Sequence, residues 1–378
     1  MILTNANIVL ANEVIKGSLL VEDGKIQRID QGKVSLPAAI DCHAGYITAG
    51  MIELHTDNME KHFTPRPGVA WPAIPAFKVH DAQMVSAGIT SVFDAISIGD
   101  VIEGSERVKN LTRMVEAIHE STTRELTRAD HFLHLRCEVS HKDTLENFHT
   151  LLAQTPVHLV SVMDHSPGQR QFAKLDKYRE YYQGKYKLSA SELEDFIQRQ
   201  TEASALYSDP FRQAICSTCN EQSIPLASHD DATQDHVEES YAYNMAIAEF
   251  PTTFTAANAA HQKGMQVLMG APNVVRGGSH SGNIAAHELA AEGVLDILSS
   301  DYYPASLLDS AFKIAQLESN SYDIPQAIAL VTSNPAQAVG LNDRGKIASG
   351  YAADLVLSHP QEDHVHIKQV WKNGQRAF

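Results

Sequence analysis

Cysteine and tryptophan are scarce in this chain of 378 residues, with four of the first and two of the second. So few thiols cannot staple a fold of this length, which excludes a disulfide framework and suits a reducing cytoplasm. Positive charge is also short: 30 Lys and Arg face 46 Asp and Glu, a formal net charge of −16. A nucleic-acid binder needs a basic surface against phosphate backbones, so that class is excluded. A small anion held by a local basic pocket or by a metal is not. No uninterrupted apolar run approaches the ~18 residues of a membrane span. The N-terminal stretch MILTNANIVLANEV lacks a basic leader and breaks its apolar run with Asn and Thr. No secretory signal is therefore expected, and the cytoplasm is the expected compartment.

What is present is an ordinary globular composition, 43% hydrophobic and 20% charged. The first forty residues read as short strands (ANIVLAN, GSLLVED, KIQRID), with Asp23-Gly24 as a hairpin signal. The last thirty-five read alike, with Asn373-Gly374 as a second turn. Residues 1–49 and 343–378 are thus expected to form one small β domain, a β-sandwich paired in space. Between them, in 50–342, apolar strand candidates alternate with helical stretches. The strands are MIELHTD, ITSVFDAI, FLHLRCE, HLVSVMDH, IPLASHDD, AIAEFPTT, MQVLMGAP and LDILSSD. Eight β–α steps in a row predict an α/β fold, a parallel (β/α)₈ TIM-like barrel.

The ends of those strands carry the chemistry. In IELHTD, His55 and Asp57 are two apart, so a strand end projects them to the same side. LRCE ends in Glu138, SVMDH in Asp164 and His165, LASHDD includes His229, and LSSD ends in Asp301. In a barrel such strand ends converge. Ionisable groups ending buried strands are costly unless paired or coordinated. The six residues His55, Asp57, Glu138, His165, His229 and Asp301 offer nitrogen and oxygen donors suited to a divalent metal, zinc or manganese, with iron a further option. The bland alternative is a set of caps and ion pairs. Cys216 and Cys219 form a C-x-x-C without a second pair, and packing is the expected role for both. Packing is also expected of Trp71 and Trp371.

A barrel with His-x-Asp on its first strand and Asp on its last resembles the amidohydrolase superfamily. So does the tail TSNPAQAVGLNDRGKIASGYAADLVL. LHTDNMEKHFTPRP, MDHSPGQRQF, YYQGKY, ASHDDAT, EFPTTF and LMGAPNVVRGGSHSGN resemble one family within it, the diphosphatases of bacterial phosphonate use that work beside carbon–phosphorus lyase. The resemblance spans essentially the whole chain. It implies hydrolysis of a ribose 5-triphosphate that carries a 1-methylphosphonate, with release of pyrophosphate. Two departures from the commoner superfamily pattern stand out. Asp57 takes the place of a second histidine, and no lysine ends a candidate strand. Glu138 is then the natural substitute, since one carboxylate can bridge two cations, and either one or two metals would fit.

Hydrolysis of a phosphoanhydride needs a nucleophile, charge neutralisation and positioning. Asp301 is the candidate proton acceptor. From Arg170 to Lys187 six basic residues face two acidic ones, which predicts a basic loop or lid beside the metals. Arg170 and Lys185 are its candidate phosphate contacts. Arg276 and His280, in APNVVRGGSHSGN, and Arg66 are further candidates for a phosphorylated ribose phosphonate. A cyclic amide or N-acyl substrate is the rival, a barrel used only as a scaffold a second rival, and a homodimer is plausible.

Overall fold

The computed structural model describes residues 1–100, 106–172, 175–279 and 282–378, with backbone alone at 106, 107 and 185. The chain divides into two compact units: Met1–Asp94, Ala117–Phe132 and Met269–Phe378 in the first, Ala95–Glu116 and Leu133–Leu268 in the second.

The chain opens with β1 (Ile2–Val9), β2 (Val14–Glu22), β3 (Lys25–Gln31), β4 (Ile40–Asp41) and β5 (Tyr46–Ala49). Eight further strands follow: β6 (Met51–Thr56), β7 (Ile89–Ile98), β8 (Asp130–Glu138), β9 (Leu159–Met163), β10 (Leu226–His229), β11 (Ile247–Glu249), β12 (Gln266–Gly270) and β13 (Ile297–Ser299). The chain closes with β14 (Leu355–Pro360), β15 (Val365–Lys372) and β16 (Gln375–Arg376).

The terminal strands form one mixed sheet in the order β16-β15-β14-β5-β1-β2-β3, with β4 beside β1. Two-residue loops close two of its hairpins. Asp23 and Gly24 join Glu22 to Lys25, and Asn373 and Gly374 join Lys372 to Gln375, all four with positive φ. That is the type I′ geometry whose twist suits a hairpin, and Asp-Gly and Asn-Gly are the pairs that adopt it most readily. Leu3, Ile8, Leu19, Ile47, Leu355 and Trp371 fill the core of this sheet.

Strands β6 to β13 pair in sequence order, as the alternating pattern predicts, into a nearly closed parallel barrel. Every residue of β6 and β7 is buried, as expected of strands covered on both faces. Thr56 meets Asp301 in a parallel bridge, joining the end of the first barrel strand to the residues after the last.

The basic stretch after His165 is a packed helix rather than a loop. Arg170–Phe172 forms a short 3₁₀ turn and Leu175–Tyr186 an α-helix. Tyr178 and Tyr182, one helical turn apart, pack with Phe172, Leu193, Phe196 and Ile197. Leu193, Phe196 and Ile197 lie on the long helix Ala190–Glu221, whose start is set by a capping box between Ser189 and Glu192. Farther along, the same helix buries Arg212, Cys216 and Cys219.

Candidate metal centre

Three barrel strands end the same way. Asp230 after β10, Phe250 after β11 and Asp301 after β13 all have left-handed backbone, with φ of 57°, 54° and 54°. Each costs on the order of 1–3 kcal/mol for a residue with a side chain. Hydrogen bonds to the neighbouring strand hold them there: Asp230 N–H to Glu249 O and Phe250 N–H to Leu268 O, both at 2.9 Å, and Asp301 N–H to His55 O at 3.1 Å. The turn redirects the chain just as the strand delivers its last side chain.

In the second unit, two histidines are each pinned by a carboxylate. His165 donates from Nδ1 to Glu138 Oε2 at 2.6 Å, and His229 from Nδ1 to Glu249 Oε2 at 2.8 Å. Both Nε2 atoms then face one oxygen, Asp230 Oδ2, at 3.6 and 3.7 Å. Those separations exceed hydrogen-bond length. Two imidazole nitrogens and a carboxylate oxygen converging on a gap, each histidine backed by a carboxylate, fit a divalent cation and its outer shell. Burial works against a charged His165 ring, but the Glu138 and Asp230 carboxylates outweigh it and raise its pKa to about 10. Burial likewise opposes charge on Glu138 and Asp230, yet the facing rings hold both below the ordinary carboxylate range. His165 and these two carboxylates therefore favour one another's charged forms, and a cation entering would displace the His165 proton.

Glu138 is fully engaged by protein donors. Besides His165 Nδ1 it accepts Ser140 Oγ–H at 2.7 Å and the His165 N–H at 3.1 Å, both at Oε1. Asp230 and Glu249 are not among the expected ligands. The signals were present: Asp230 stands next to His229 in LASHDD, and Glu249 is one more acidic residue ending a buried strand.

In the first unit, His55, Asp57 and Asp301 bring donor atoms within 4.8 Å of one another. His55 Nε2 lies 4.0 Å from Asp57 Oδ1. The backbones are coupled as well, Asp57 N–H donating to Asp301 O at 2.9 Å and Thr56 Oγ1–H to the same oxygen at 2.9 Å. Behind them lies Glu53, fully buried, which accepts the His55 N–H at 2.7 Å and the Ser300 N–H at 2.6 Å. Burial pushes the Glu53 carboxyl up to about 7 against these hydrogen bonds.

A third cluster of the right composition, His80, Asp94 and His131 in the first unit, is closed to a metal by its own hydrogen bonds. Asp94 accepts from His80 Nε2 and His131 Nδ1, both at 2.7 Å. The other ring nitrogens face Asn58 Nδ2, at 3.0 Å from His80, and Asp81 Oδ1, at 3.4 Å from His131.

The expected substrate contacts fare differently. Arg66, after β6, and Arg276, ending the helix Ala271–Arg276 after β12, are exposed. His280 and the Lys185 side chain lie outside the described residues. Arg170 is 5% exposed, with Nη1 on Asp231 and Nη2 on Glu239. Its fork faces inward, because two carboxylates far along the chain neutralise it. Trp71 is 49% exposed, against the packing expected of it, while Trp371 is buried. Cys216 and Cys219 are buried free thiols, as packing requires, and burial pushes both up to about 12.

Imidazole and carboxylate groups on the C-terminal ends of parallel barrel strands define a class of metal-dependent hydrolase. The chain belongs to the amidohydrolase family, whose model matches residues 226–378. Over 378 residues it is 55% identical to the alpha-D-ribose 1-methylphosphonate 5-triphosphate diphosphatase of Escherichia coli (strain K12), covering 100% of both chains. Solved structures share its fold at low identity. One is the N-acetyl-D-glucosamine-6-phosphate deacetylase of Mycobacterium smegmatis (15% identical, TM-score 0.63, covering 100% of this chain and 99% of that one). Another is the 5-methylcytosine deaminase of Klebsiella pneumoniae (15% identical, TM-score 0.61, covering 100% and 97%).

Proposed function

We propose that this chain hydrolyses α-D-ribose 1-methylphosphonate 5-triphosphate in the cytoplasm, releasing pyrophosphate and leaving the 5-phosphate. The full-length similarity to the Escherichia coli diphosphatase carries this reading. Residues 50–342 are the proposed catalytic barrel and 1–49 with 343–378 its small β domain. His165, His229 and Asp230 are the proposed ligands of one divalent cation, and His55, Asp57 and Asp301 the candidates for another. Zinc is the proposed ion, since imidazole and carboxylate are its ordinary nitrogen and oxygen donors.

A bound cation would polarise phosphoryl oxygen and lower the pKa of water towards ~7. The chain does the rest. Glu138 and Glu249 fix the tautomer of His165 and His229, so that each presents Nε2. Asp301 takes the proton of the attacking water; its backbone, held left-handed by the His55 carbonyl, fixes the direction of its carboxylate. As the water oxygen bonds to phosphorus, the bond to the bridging oxygen breaks and pyrophosphate departs. Arg66 and Arg276 are the described, exposed cations proposed to offset the triphosphate charge.

The test is turnover of the ribose triphosphate by protein of known metal content, with products followed by phosphorus NMR, beside an N-acyl amino sugar as rival substrate. Pyrophosphate and the 5-phosphate should appear, and chelation should stop them. Unchanged turnover by metal-free protein, or faster turnover of the N-acyl substrate, would overturn the proposal.

A further inference from the structure

The second unit contains a chain of five charged side chains that no catalytic step uses. Arg212 donates from Nη2 to Asp164 Oδ2 at 3.3 Å, and from Nη1 to Asp209 Oδ1 at 2.7 Å and Glu239 Oε1 at 3.2 Å. The second oxygen of Glu239, Oε2, takes Nη2 of Arg170, whose Nη1 reaches Asp231. The order is Asp164, Arg212, Glu239, Arg170, Asp231. Only Glu239 reaches the surface, at 39% side-chain exposure. The other four are nine-tenths buried or more.

Buried ion-pair networks are poor value as stability devices, because apolar residues of the same volume serve as well or better. Position explains this one. Asp164 immediately precedes His165, and Asp231 immediately follows Asp230. Each end makes further hydrogen bonds that hold it in place. Asp164 accepts the Ser166 N–H at 3.2 Å, and Asp231 accepts Ser240 Oγ–H at 3.1 Å while its carbonyl takes the Thr252 N–H at 2.9 Å. Two planar guanidinium forks sharing one carboxylate therefore span from the end of β9 to the end of β10. Arginine suits this task better than lysine because its fork fixes direction as well as charge.

We infer that Arg170 and Arg212, yoked through Glu239, are positioning residues that set the separation of His165 from Asp230. This rests on the metal centre proposed above. It also gives Arg170 a task other than binding phosphate: its charge is spent on two carboxylates of the protein.

The test uses the purified full chain and zinc alone. Zinc affinity is measured by competition with a chromophoric chelator, beside the melting temperature of the metal-free protein and, for the loaded protein, kcat and KM. Arg212→Met should weaken zinc binding about 10–100-fold, the usual cost of losing an outer-shell partner, and Arg212→Lys should restore part of it. Glu239→Gln keeps the shape of a partly exposed side chain, so it carries the test if Arg212→Met does not fold. It should weaken zinc binding about ten-fold and lower kcat more than it raises KM, while the metal-free protein melts with the parent. Parental zinc affinity in Glu239→Gln, or a lowered melting temperature with affinity unchanged, would make the yoke purely structural and overturn the inference. His165→Ala separates this failure from that of the metal centre. If His165→Ala loses zinc and the yoke variants keep it, the inference alone falls. If the parent binds no zinc, or His165→Ala binds as much zinc as tightly as the parent, both fall.

Discussion

Replacing Asp94 by asparagine should change how the stability of the protein depends on pH. The Asp94 carboxylate is fully buried between two imidazoles, each at 2.7 Å. Burial opposes its charge, but His131 and His80 outweigh that and pull its pKa to about 2. Burial also opposes charge on His131, yet Asp94 and Asp81 overcome it and raise the ring to about 9. An unfolded histidine titrates near ~6.5. Below that pH both states hold the proton, and the stabilisation from the raised His131 is complete. Between there and pH 9 the unfolded chain sheds the proton while the folded one keeps it, so stability falls with rising pH. The shift is worth roughly 3 kcal/mol, at 1.36 kcal/mol per unit. Asp94 works at the other end: its contribution is present above an unfolded carboxylate's pKa of ~3.9 and is lost as pH falls through about 2. Asp94→Asn removes the larger attraction on His131 and should cost about 3–5 kcal/mol near neutrality, the range for breaking a buried pair. The measurement is the urea midpoint of metal-free parent and variant from pH 6 to pH 9. His165 is also raised in the metal-free protein, so the parent alone mixes two groups. Subtracting the variant leaves the Asp94 contribution, and that difference should shrink as pH rises towards 9. Parallel pH profiles for the two proteins would refute the reading of His131 as a charge held by Asp94.

Three further outcomes are expected. Asp301→Asn should retain metal and lose about 10²–10⁴-fold in kcat, the usual contribution of a general base, with KM little changed; near-parental kcat would strike Asp301 from catalysis, and metal loss measured by elemental analysis would make it a ligand only. Glu249→Gln should weaken zinc about 10–100-fold by freeing the His229 ring, and unchanged affinity would show that His229 needs no such partner. The double change Cys216→Ser with Cys219→Ser should leave zinc content and kcat unaltered, since both thiols are buried and neither belongs to a metal-donor group among the described residues; lost zinc would overturn the packing role.

The barrel was legible because each strand is a local apolar run, and the runs alternate with helical stretches. The terminal hairpins were legible for the same reason, since Asp-Gly and Asn-Gly need only their own φ preference. What could not be read was long-range pairing. Arg170 looked like a phosphate contact in a basic stretch, but the carboxylates that neutralise it lie 61 and 69 residues away. Glu138 looked like a ligand because it ends a strand. Its hydrogen bonds to His165 depend on the register of β8 against β9, where Glu138 pairs with Met163. Tyr178 and Tyr182 stand one helical turn apart, but two residues at that spacing are a weak helix signal beside the charged Arg179 and Glu180 between them.

The pairing of β14 with β5 sets a timetable for synthesis. Leu355 pairs with Ala49, so the ribosome must add roughly 300 residues after β5 before its partner exists. At ~5–20 residues per second that takes about 15–60 s. Throughout that interval β1, β2 and β3 can pair with one another, while β5 presents an unpaired edge to whatever else is nearby. Cooling or slowing translation lengthens the interval, and a chain released without its last twenty-five residues never closes it. Completion of this sheet therefore waits on the far end of the gene, on strands that carry none of the proposed metal ligands.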